Sequence, residues 1–494
     1  MQQAEWPFPL PALYLKLSGR RYALGSAAST KSKKMPPLPS STASVVQIQQ
    51  FYDKGLAQAS YVIRCGRQIA VIDPGRDPQP YYDFADEHEA RIIAVIETHP
   101  HADFVSSHLE IAEETEAIIY CSKLVKARYP HHNFDDGDRI KLGTVELHAI
   151  NTPGHSLDSI SVLLMDELAQ SRAVFTGDAL FVGDVGRPDL REDEAVGGHQ
   201  REALAAQLYR STRNKLMTLP GSTRVYPAHG PGTLCGKTTS SDLDSTIAKE
   251  LKTNYALQPM SEAEFVAVLL ADQPFVPKYF GHDVQLNKLG APSFESSIRA
   301  VPHPGNTQPL ESGVLIIDTR PAARFRAGHL PGAINLQDGD KFETWLGSII
   351  GPTEKFYLLA DSKIGLDTVV RKTAKIGYEG NIKGALLDPA ILPATSPAVN
   401  MAQVRQHLEQ FTIVDIRNRT EANVPVFANA LVIPLPELRE RAHEIPTDKP
   451  ILVHCGGGYR SAAGTSIVQA ALPGAQILDL GEAVTEFLPR TEVQ

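Results

Sequence analysis

The sequence predicts an α/β protein made of about three domains. Its 494 residues are too many for one hydrophobic core. Short apolar runs rich in β-branched residues, such as Arg91–Ile96, alternate with segments of helical character, which is the pattern of sheets covered by helices. Two later runs of this kind, residues 313–318 and 411–415, open segments of similar layout and indicate an internal duplication.

Composition excludes several classes of function. A net charge of −9 gives no electrostatic basis for binding nucleic acid or an anionic membrane, and no apolar run is long enough to span a bilayer. Four scattered cysteines do not form a disulfide framework, so a reducing, cytoplasmic location is expected. The composition leaves the oligomeric state open, and a homo-oligomer is compatible with it.

Residues 1–44 differ from the rest of the chain. They are rich in serine, proline and lysine and nearly free of acidic residues, which predicts a disordered N-terminal extension. An organelle transit peptide has a similar composition and is the alternative interpretation.

The most informative stretch is residues 97–108, which directly follows the predicted buried strand Arg91–Ile96. It places His99, His101 and Asp103 where a strand ends and a loop begins. Two imidazoles and a carboxylate so close together are costly to bury unless a positive group pairs with them. A divalent metal is the simplest such group, because imidazole and carboxylate are its usual ligands.

Three later predicted strands end in the same way, at His155, Asp178 and His229. Loops at the rims of sheets are where such sites assemble. In order and spacing the four segments resemble the metallo-β-lactamase fold across residues 45–285. The resemblance implies an αββα sandwich, in which two sheets pack face to face with helices outside.

Phe104 stands where a full dinuclear site of that superfamily has a histidine. A phenyl ring cannot coordinate a metal, so the resemblance implies a single metal held by His99, His155 and Asp178. Two imidazoles and one carboxylate leave open positions on the metal and favour ferrous iron, although zinc uses the same donors. The residues expected to orient these ligands without binding the metal are His101, Asp103 and His229.

Two segments, residues 101–108 and 176–190, are similar to the persulfide dioxygenases, in which Phe104 is usual. That family oxidises glutathione persulfide, or a similar thiol persulfide, to sulfite with mononuclear non-haem iron. The resemblance implies one Fe(II) per chain, with a small thiol persulfide and O2 as substrates. Arg187 is positioned to clamp a substrate carboxylate, and an internal salt bridge is the alternative. Cys235 follows His229 closely and is either a substrate-facing thiol or a structural residue.

The two duplicated segments, residues 286–390 and 396–494, resemble rhodanese domains. Their alternating short strands and helices predict small doubly wound α/β domains. Cys455, at the end of a strand in the second copy, is the expected nucleophile. The matching position in the first copy is Asp361, so that copy is expected to be inactive.

Cys455 opens a glycine-rich loop before a predicted helix at residues 461–471. Backbone N–H groups and the helix N-terminus favour the thiolate, and they suit a bound sulfite or thiosulfate anion. Arg460, at the start of the helix, is the second expected catalytic residue and adds positive charge. The loop residues expected to bind substrate are Gly456, Gly457, Gly458 and Tyr459.

The sequence therefore predicts a persulfide dioxygenase followed by an inactive and an active rhodanese, with a role in sulfide oxidation or detoxification. Cys455 would move a sulfane sulfur onto sulfite to make thiosulfate, or run the reverse. The first alternative is a dinuclear zinc thioester hydrolase similar to glyoxalase II. The second is a non-catalytic module that relays sulfur to a partner protein.

Overall fold

The computed structural model describes residues 46–190, 200–237, 240–305, 309–389 and 392–488. The predicted N-terminal extension, residues 1–44, lies outside the described residues. No helix in the described part of the chain is both long enough and apolar enough to cross a membrane.

Two six-stranded sheets form the first domain. The strands of the first sheet, in spatial order, are β1 (Val46–Asp53), β2 (Gln58–Cys65), β3 (Gln68–Ile72), β4 (Arg91–Ile96), β5 (Ile118–Cys121) and β6 (His132–Asn133). Those of the second sheet, also in spatial order, are β7 (Arg139–Leu142), β8 (Val145–Asn151), β9 (Ile160–Met165), β10 (Ser171–Gly177), β11 (Arg224–Pro227) and β12 (Ser245–Thr246). The strands β3 to β6 run parallel, and so do β10 and β11.

The two sheets pack on each other through a shared apolar core that includes Tyr61, Ile96, Leu147 and Phe175. The helices of this domain are α1 (Gln79–Glu87), α2 (His108–Thr115), α3 (Gln200–Asn214), α4 (Ile247–Thr253), α5 (Glu262–Leu270), α6 (Phe280–Leu289) and α7 (Phe294–Ala300). Apolar residues of α1 and α2 cover the outer face of the first sheet, and α3 to α5 cover that of the second. The predicted αββα sandwich is confirmed.

Two four-stranded, all-parallel sheets follow. Their strands are β13 (Leu315–Asp318), β14 (Ile334–Asn335), β15 (Phe356–Ala360) and β16 (Ile382–Leu387), then β17 (Thr412–Asp415), β18 (Leu431–Val432), β19 (Ile451–His454) and β20 (Ile477–Asp479). The helices are α8 (Ala322–Ala327), α9 (Phe342–Ile349), α10 (Lys363–Lys375), α11 (Met401–Gln406), α12 (Arg419–Ala422), α13 (Leu438–Arg441) and α14 (Tyr459–Ala471).

The two small domains repeat one topology. The order is β14-β13-β15-β16 in the first copy and β18-β17-β19-β20 in the second. In each copy the first strand leads into a buried ion pair, Asp318 with Arg320 and Asp415 with Arg417, both at 2.6 Å. The predicted duplication is confirmed.

The first small domain packs against the loops that follow β3 and β4. The backbone N–H of Val105 donates to the carbonyl of Lys375 at 2.8 Å. Arg76 lies 3.3 Å from Glu379, with both side chains buried. This packing orders the loop that carries His99, His101 and Asp103.

Candidate functional site

Four strand ends meet at one rim of the sandwich, where β4, β8, β10 and β11 deliver the predicted histidines and aspartates. Gly177, the last residue of β10, has φ +51°, and a Cβ atom there would lie 2.6 Å from Thr98 Oγ1. Only glycine tolerates this φ angle and this close contact. The strand β10 can therefore approach the β4 loop closely enough to bring Asp178 beside His99.

His99, His155 and Asp178 converge in a buried cluster. The Asp178 Oδ2 atom lies 3.8 Å from Nε2 of His99 and 3.6 Å from Nε2 of His155. Asp178 Oδ2 is buried and has no hydrogen-bond partner among the described residues. An orphaned carboxylate oxygen facing two imidazole nitrogens fits a metal ion, which would satisfy all three atoms.

The second ring nitrogen of each histidine is held by a hydrogen bond. Nδ1 of His155 donates to the carbonyl of Arg187 at 2.8 Å. Nδ1 of His99 lies 3.0 Å from Thr98 Oγ1, whose own proton goes to Asp73 at 2.8 Å, so the hydroxyl accepts from His99. Both Nδ1 atoms therefore carry the proton, and both Nε2 atoms are left with a lone pair for a metal.

Next to these ligands, His101, Asp103 and His229 form another buried group. His229 lies 2.8 Å from Asp103 through Nε2 and 2.8 Å from Asp178 through Nδ1. Burial opposes the charged form of His229, but the two carboxylates outweigh it and hold its pKa well above the ordinary value. A hydrogen bond joins its Nδ1 atom to Asp178 Oδ1, and its Nε2 atom makes a charge contact with Asp103.

Phe104 lies beside this group, with its ring 4.3 Å from the His101 ring and 6.3 Å from the His229 ring, measured between centroids. The phenyl ring is buried and brings no donor atom to the group. The structure thus places two buried groups of possible ligands side by side, and Phe104 adds no ligand atom to the second.

Sequence reasoning missed a further buried network behind these residues, formed by Asp73, Glu97 and His108. Asp73 lies 3.2 Å from Nε2 of His101, and Ser106 donates to Glu97 at 2.8 Å. Burial, reinforced by Asp73, raises the pKa of Glu97 well above its ordinary value, and burial lowers the pKa of His108 to about 3. Two signals were available, because Asp73 ends a strand and Glu97 and His108 bound the key stretch.

Cys235 lies against two residues of these buried groups, Asp178 and His229. Its Sγ atom is within 4.8 Å of ligand atoms of Asp178 and His229. Burial raises the pKa of the Cys235 thiol well above its ordinary value, and the charges of Asp103 and Asp178 add to this effect. Without a cation beside it, Cys235 is a neutral thiol.

Arg187 does not reach outward as a substrate clamp. Its guanidinium is buried and forms a two-pronged ion pair with Asp189, at 2.6 and 2.7 Å. The remaining Nη1 atom points to the carbonyls of Leu234 and Phe275. The internal salt bridge is therefore the interpretation that the geometry supports, and the contribution of Arg187 to the site is the carbonyl that orients His155.

A cavity of about 240 Å³ lies next to the metal-binding loops. Its walls include Leu56, Gln58, Tyr81 and Phe104. Gln58 also pairs through its backbone with His229 in an isolated bridge. One wall of the cavity, Phe104, belongs to the loop that follows β4, and another, Gln58, pairs with the loop that carries His229.

The second candidate centre is the loop after β19. Cys455 follows His454 directly, and the backbone N–H of Gly458 donates to its Sγ atom at 3.1 Å. Gly456 and Gly457 lie on the more exposed side of the loop, and α14 begins at Tyr459. An N–H group aimed at sulfur is the feature that a stabilised thiolate or persulfide requires.

Tyr459 points towards the first small domain, and Arg460 makes its ion pair within its own domain. The Tyr459 hydroxyl donates to the carbonyl of Gln337 at 2.7 Å, so its side chain is turned away from a substrate bound at Cys455. Only the backbone of Tyr459 remains for the predicted substrate-binding role. Arg460 makes a two-pronged ion pair with Glu421, at 2.6 and 2.7 Å.

Replacing Gly458 by alanine is expected to distort this loop. Gly458 has φ +95°, and a Cβ atom there would lie 2.6 Å from the backbone nitrogen of Glu482. We expect a loss of stability on the order of 2 kcal/mol from backbone strain. Chemical denaturation measures it, with Gly457→Ala as the control because that position is open. Equal stability of the two variants would contradict the prediction.

The first small domain has no thiol at the corresponding place. Asp361 follows β15 as Cys455 follows β19, and its carboxylate lies 3.0 Å from Arg324. Ser362 caps α10 by accepting from the backbone N–H of Gly365. The loop is therefore closed by an ion pair and carries no sulfur nucleophile.

Comparisons with known proteins agree with both halves of this description. A sequence model of the Metallo-beta-lactamase superfamily matches residues 53–229, and one of the Rhodanese-like domain matches residues 306–384. The solved structure of a metallo-beta-lactamase from Staphylococcus aureus is 32% identical, with a TM-score of 0.63, and the match covers 69% of this chain and 99% of that one.

Two curated relatives have different activities. The mitochondrial persulfide dioxygenase ETHE1 of Bos taurus is 29% identical over 243 residues, which is 47% of this chain and 83% of the relative. The cytoplasmic hydroxyacylglutathione hydrolase of Arabidopsis thaliana is 29% identical over 220 residues, or 44% of this chain and 77% of the relative. The choice between the two therefore rests on the site.

Proposed function

This chain belongs to the metallo-β-lactamase superfamily and carries a rhodanese-like domain, and we propose that it is a persulfide dioxygenase joined to a sulfurtransferase. The observation that carries the proposal is the three-atom cluster of His99, His155 and Asp178, whose Oδ2 atom has no hydrogen-bond partner among the described residues. Phe104 lies beside the neighbouring group of His101, Asp103 and His229 and brings no donor atom to it. A hydrolase of the dinuclear kind needs both clusters.

The proposed first reaction converts RSSH, O2 and H2O into RSH, sulfite and two protons. A ferrous ion at the three-atom cluster would supply adjacent open positions for O2 and for the persulfide sulfur. The protein's own part is to orient the ligands: the Thr98 hydroxyl and the Arg187 carbonyl hold the two histidines. His229 holds the carboxylate of Asp178. The cavity lined by Leu56, Gln58 and Phe104 is the proposed site for the organic part of the thiol.

The proposed second reaction takes place on Cys455. Its thiol exchanges with RSSH to give the Cys455 persulfide and RSH. Sulfite then attacks the outer sulfur of that persulfide, the S–S bond to Cys455 breaks, and thiosulfate leaves with the Cys455 thiol restored. The Gly458 N–H, 3.1 Å from Sγ, stabilises the thiolate that is the leaving group. Glutathione persulfide is the proposed thiol persulfide, because the dioxygenase family that the sequence resembles uses it.

Metal content and O2 uptake test the first reaction together. We expect one iron per purified chain, O2 uptake with glutathione persulfide, and sulfite as the product. Two zinc ions per chain with hydrolysis of a glutathione thioester would overturn the proposal in favour of the hydrolase. The hydrolase is the alternative because one relative is a hydroxyacylglutathione hydrolase and because Asp103 and His229 are present beside the cluster.

The replacement Phe104→His is expected to raise the metal content from one ion per chain towards two. The new imidazole would join Asp103, His229 and Asp178, which already lie together. We expect a stability loss of about 2 kcal/mol, because a buried ring is exchanged for a smaller polar one. Elemental analysis after zinc loading measures the change. Phe104→Leu, which removes the ring without adding a donor, is the control; equal metal content in the two variants would count against the explanation.

A further inference from the structure

The two residues that follow the glycines of the Cys455 loop are anchored on the other small domain. The Tyr459 hydroxyl donates to the carbonyl of Gln337, and its ring is so close to Gly339 that a Cβ atom there would lie 2.8 Å from Tyr459 Cε2. The guanidinium carbon of Arg460 lies 5.4 Å from the centroid of the Trp345 ring on α9. Both anchors belong to the domain that lacks a nucleophile.

Trp345 is itself held in place from the metal-binding domain. Its ring stacks on that of Phe275, with centroids 5.8 Å apart and planes inclined by 25°. Lys341 directly precedes the same helix, α9. Its Nζ atom donates to the carbonyl of Gly232, three residues after His229. The indole therefore has a supported position between the metal-binding domain and the Cys455 loop.

Arg460 has two restraints and lies beside the Cys455 loop. Glu421 binds one edge of the guanidinium, and Trp345 contacts it as a cation–π partner. A Cβ atom on Gly456 would lie 3.3 Å from Arg460 Nη2, so the guanidinium touches the residue next to Cys455. Burial disfavours its charge, but the hydrogen bonds and charge of Glu421 outweigh this, and the pKa of Arg460 lies above its ordinary value.

A guanidinium fixed beside a sulfur nucleophile attracts an anionic partner and orients it. Glu421 holds one edge of the Arg460 guanidinium, and the pair is partly exposed, with 15% and 38% of the two side chains accessible. The Trp345 ring lies against the face of the guanidinium and adds a second restraint.

We propose that Trp345 is a positioning residue of the sulfur-transfer site: its indole holds Arg460 beside the Cys455 loop, so that the domain without a nucleophile completes the site of the domain that has one. The proposal deepens, and rests on, the sulfurtransferase function proposed for Cys455. The anions that Arg460 would orient are sulfite and the sulfonate end of thiosulfate.

Alkylation of Cys455 tests the proposal without relying on any activity. Iodoacetate is an anion and iodoacetamide is neutral, so the ratio of their rates at Cys455, followed by peptide mass spectrometry, reports the local positive charge. We expect Trp345→Leu to lower this ratio about fivefold, as loss of a cation–π contact implies. Arg460→Gln defines the lower limit, and Trp345→Phe, which keeps an aromatic face, should stay within about twofold of the unmodified protein.

Thr344→Ala, one residue away on the same helix, is the matched control and should leave the ratio unchanged. A ratio that falls in Arg460→Gln but not in Trp345→Leu would overturn the proposal. So would an unchanged ratio in Arg460→Gln, because Arg460 would then not act at Cys455.

Kinetics separate this role from a purely structural one. Trp345→Leu should raise the KM for thiosulfate in sulfur transfer while kcat and persulfide-dependent O2 uptake stay near their original values. A parallel fall of both activities, with a lower melting temperature, would identify the indole as a general packing residue and overturn the proposal. An unmodified protein with no sulfurtransferase activity would instead refute the function proposed for Cys455, and the alkylation ratio would still decide the role of Trp345.

Discussion

Asp178→Asn should abolish iron binding and persulfide-dependent O2 uptake. Asp178 Oδ2 faces the Nε2 atoms of His99 and His155, and its Oδ1 accepts from His229. The amide removes the negative charge from the centre of this arrangement and places an NH2 group where one of the two oxygens was. We expect iron affinity to fall by more than about 100-fold, beyond the effect of losing a residue that only orients a ligand. Iron analysis and an oxygen electrode measure the two effects.

The internal control is Cys455, which lies in a separate domain and should still transfer sulfur from thiosulfate in the Asp178→Asn protein. Asp242→Asn is the matched surface control, because its side chain is 53% exposed and pairs with Lys249 on the surface. An Asp178→Asn protein with one iron per chain and normal O2 uptake would refute the assignment of the metal site. Loss of both activities would show a folding defect instead, and His155→Gln then repeats the test.

Cys455→Ser should stop thiosulfate formation while sulfite accumulates. The thiol is the only group in the loop able to carry a sulfane sulfur, and a serine hydroxyl cannot form the persulfide. We expect sulfur transfer to fall by about 10⁴-fold or more, as when the nucleophile of a covalent mechanism is removed. O2 uptake should persist, because the metal-binding residues lie in another domain.

Separating sulfite from thiosulfate by chromatography after a persulfide turnover measures this outcome. Cys65→Ser is the matched control, since Cys65 is buried in β2 and its Sγ lies 3.5 Å from the Thr144 hydroxyl, where a serine hydroxyl can take its place. Unchanged thiosulfate output from Cys455→Ser would refute the coupling of the two reactions through sulfite.

The residue pattern predicted the two kinds of domain and the strand ends that meet at the rim of the first domain. The strand predicted at Arg91–Ile96 is observed with the same bounds, and the helix predicted at 461–471 begins two residues earlier, at Tyr459. Histidines and aspartates at the ends of strands can be recognised from the sequence, because the apolar run before them marks where the strand ends. The duplication also predicted that Asp361 of the first copy occupies the position that Cys455 has in the second copy.

The residue pattern could not predict the directions in which the side chains point. Arg187 stands two residues from an aspartate, and only the fold shows that its guanidinium turns inward to Asp189. Tyr459 was assigned to the substrate because it sits in the loop, but its hydroxyl binds Gln337, which lies 122 residues earlier in the chain. Partners so distant in the chain leave no local periodicity to detect.

The order of strands, the loops at their ends and the donor atoms on those loops follow from short segments of sequence, because burial and turn chemistry act on neighbouring residues. The protonated nitrogen on each histidine, the pairing of His229 with two carboxylates and the contact of Trp345 with Arg460 depend on segments that meet only after the domains have packed. Electrostatics and aromatic contacts depend on distance in space, and distance along the chain does not specify it.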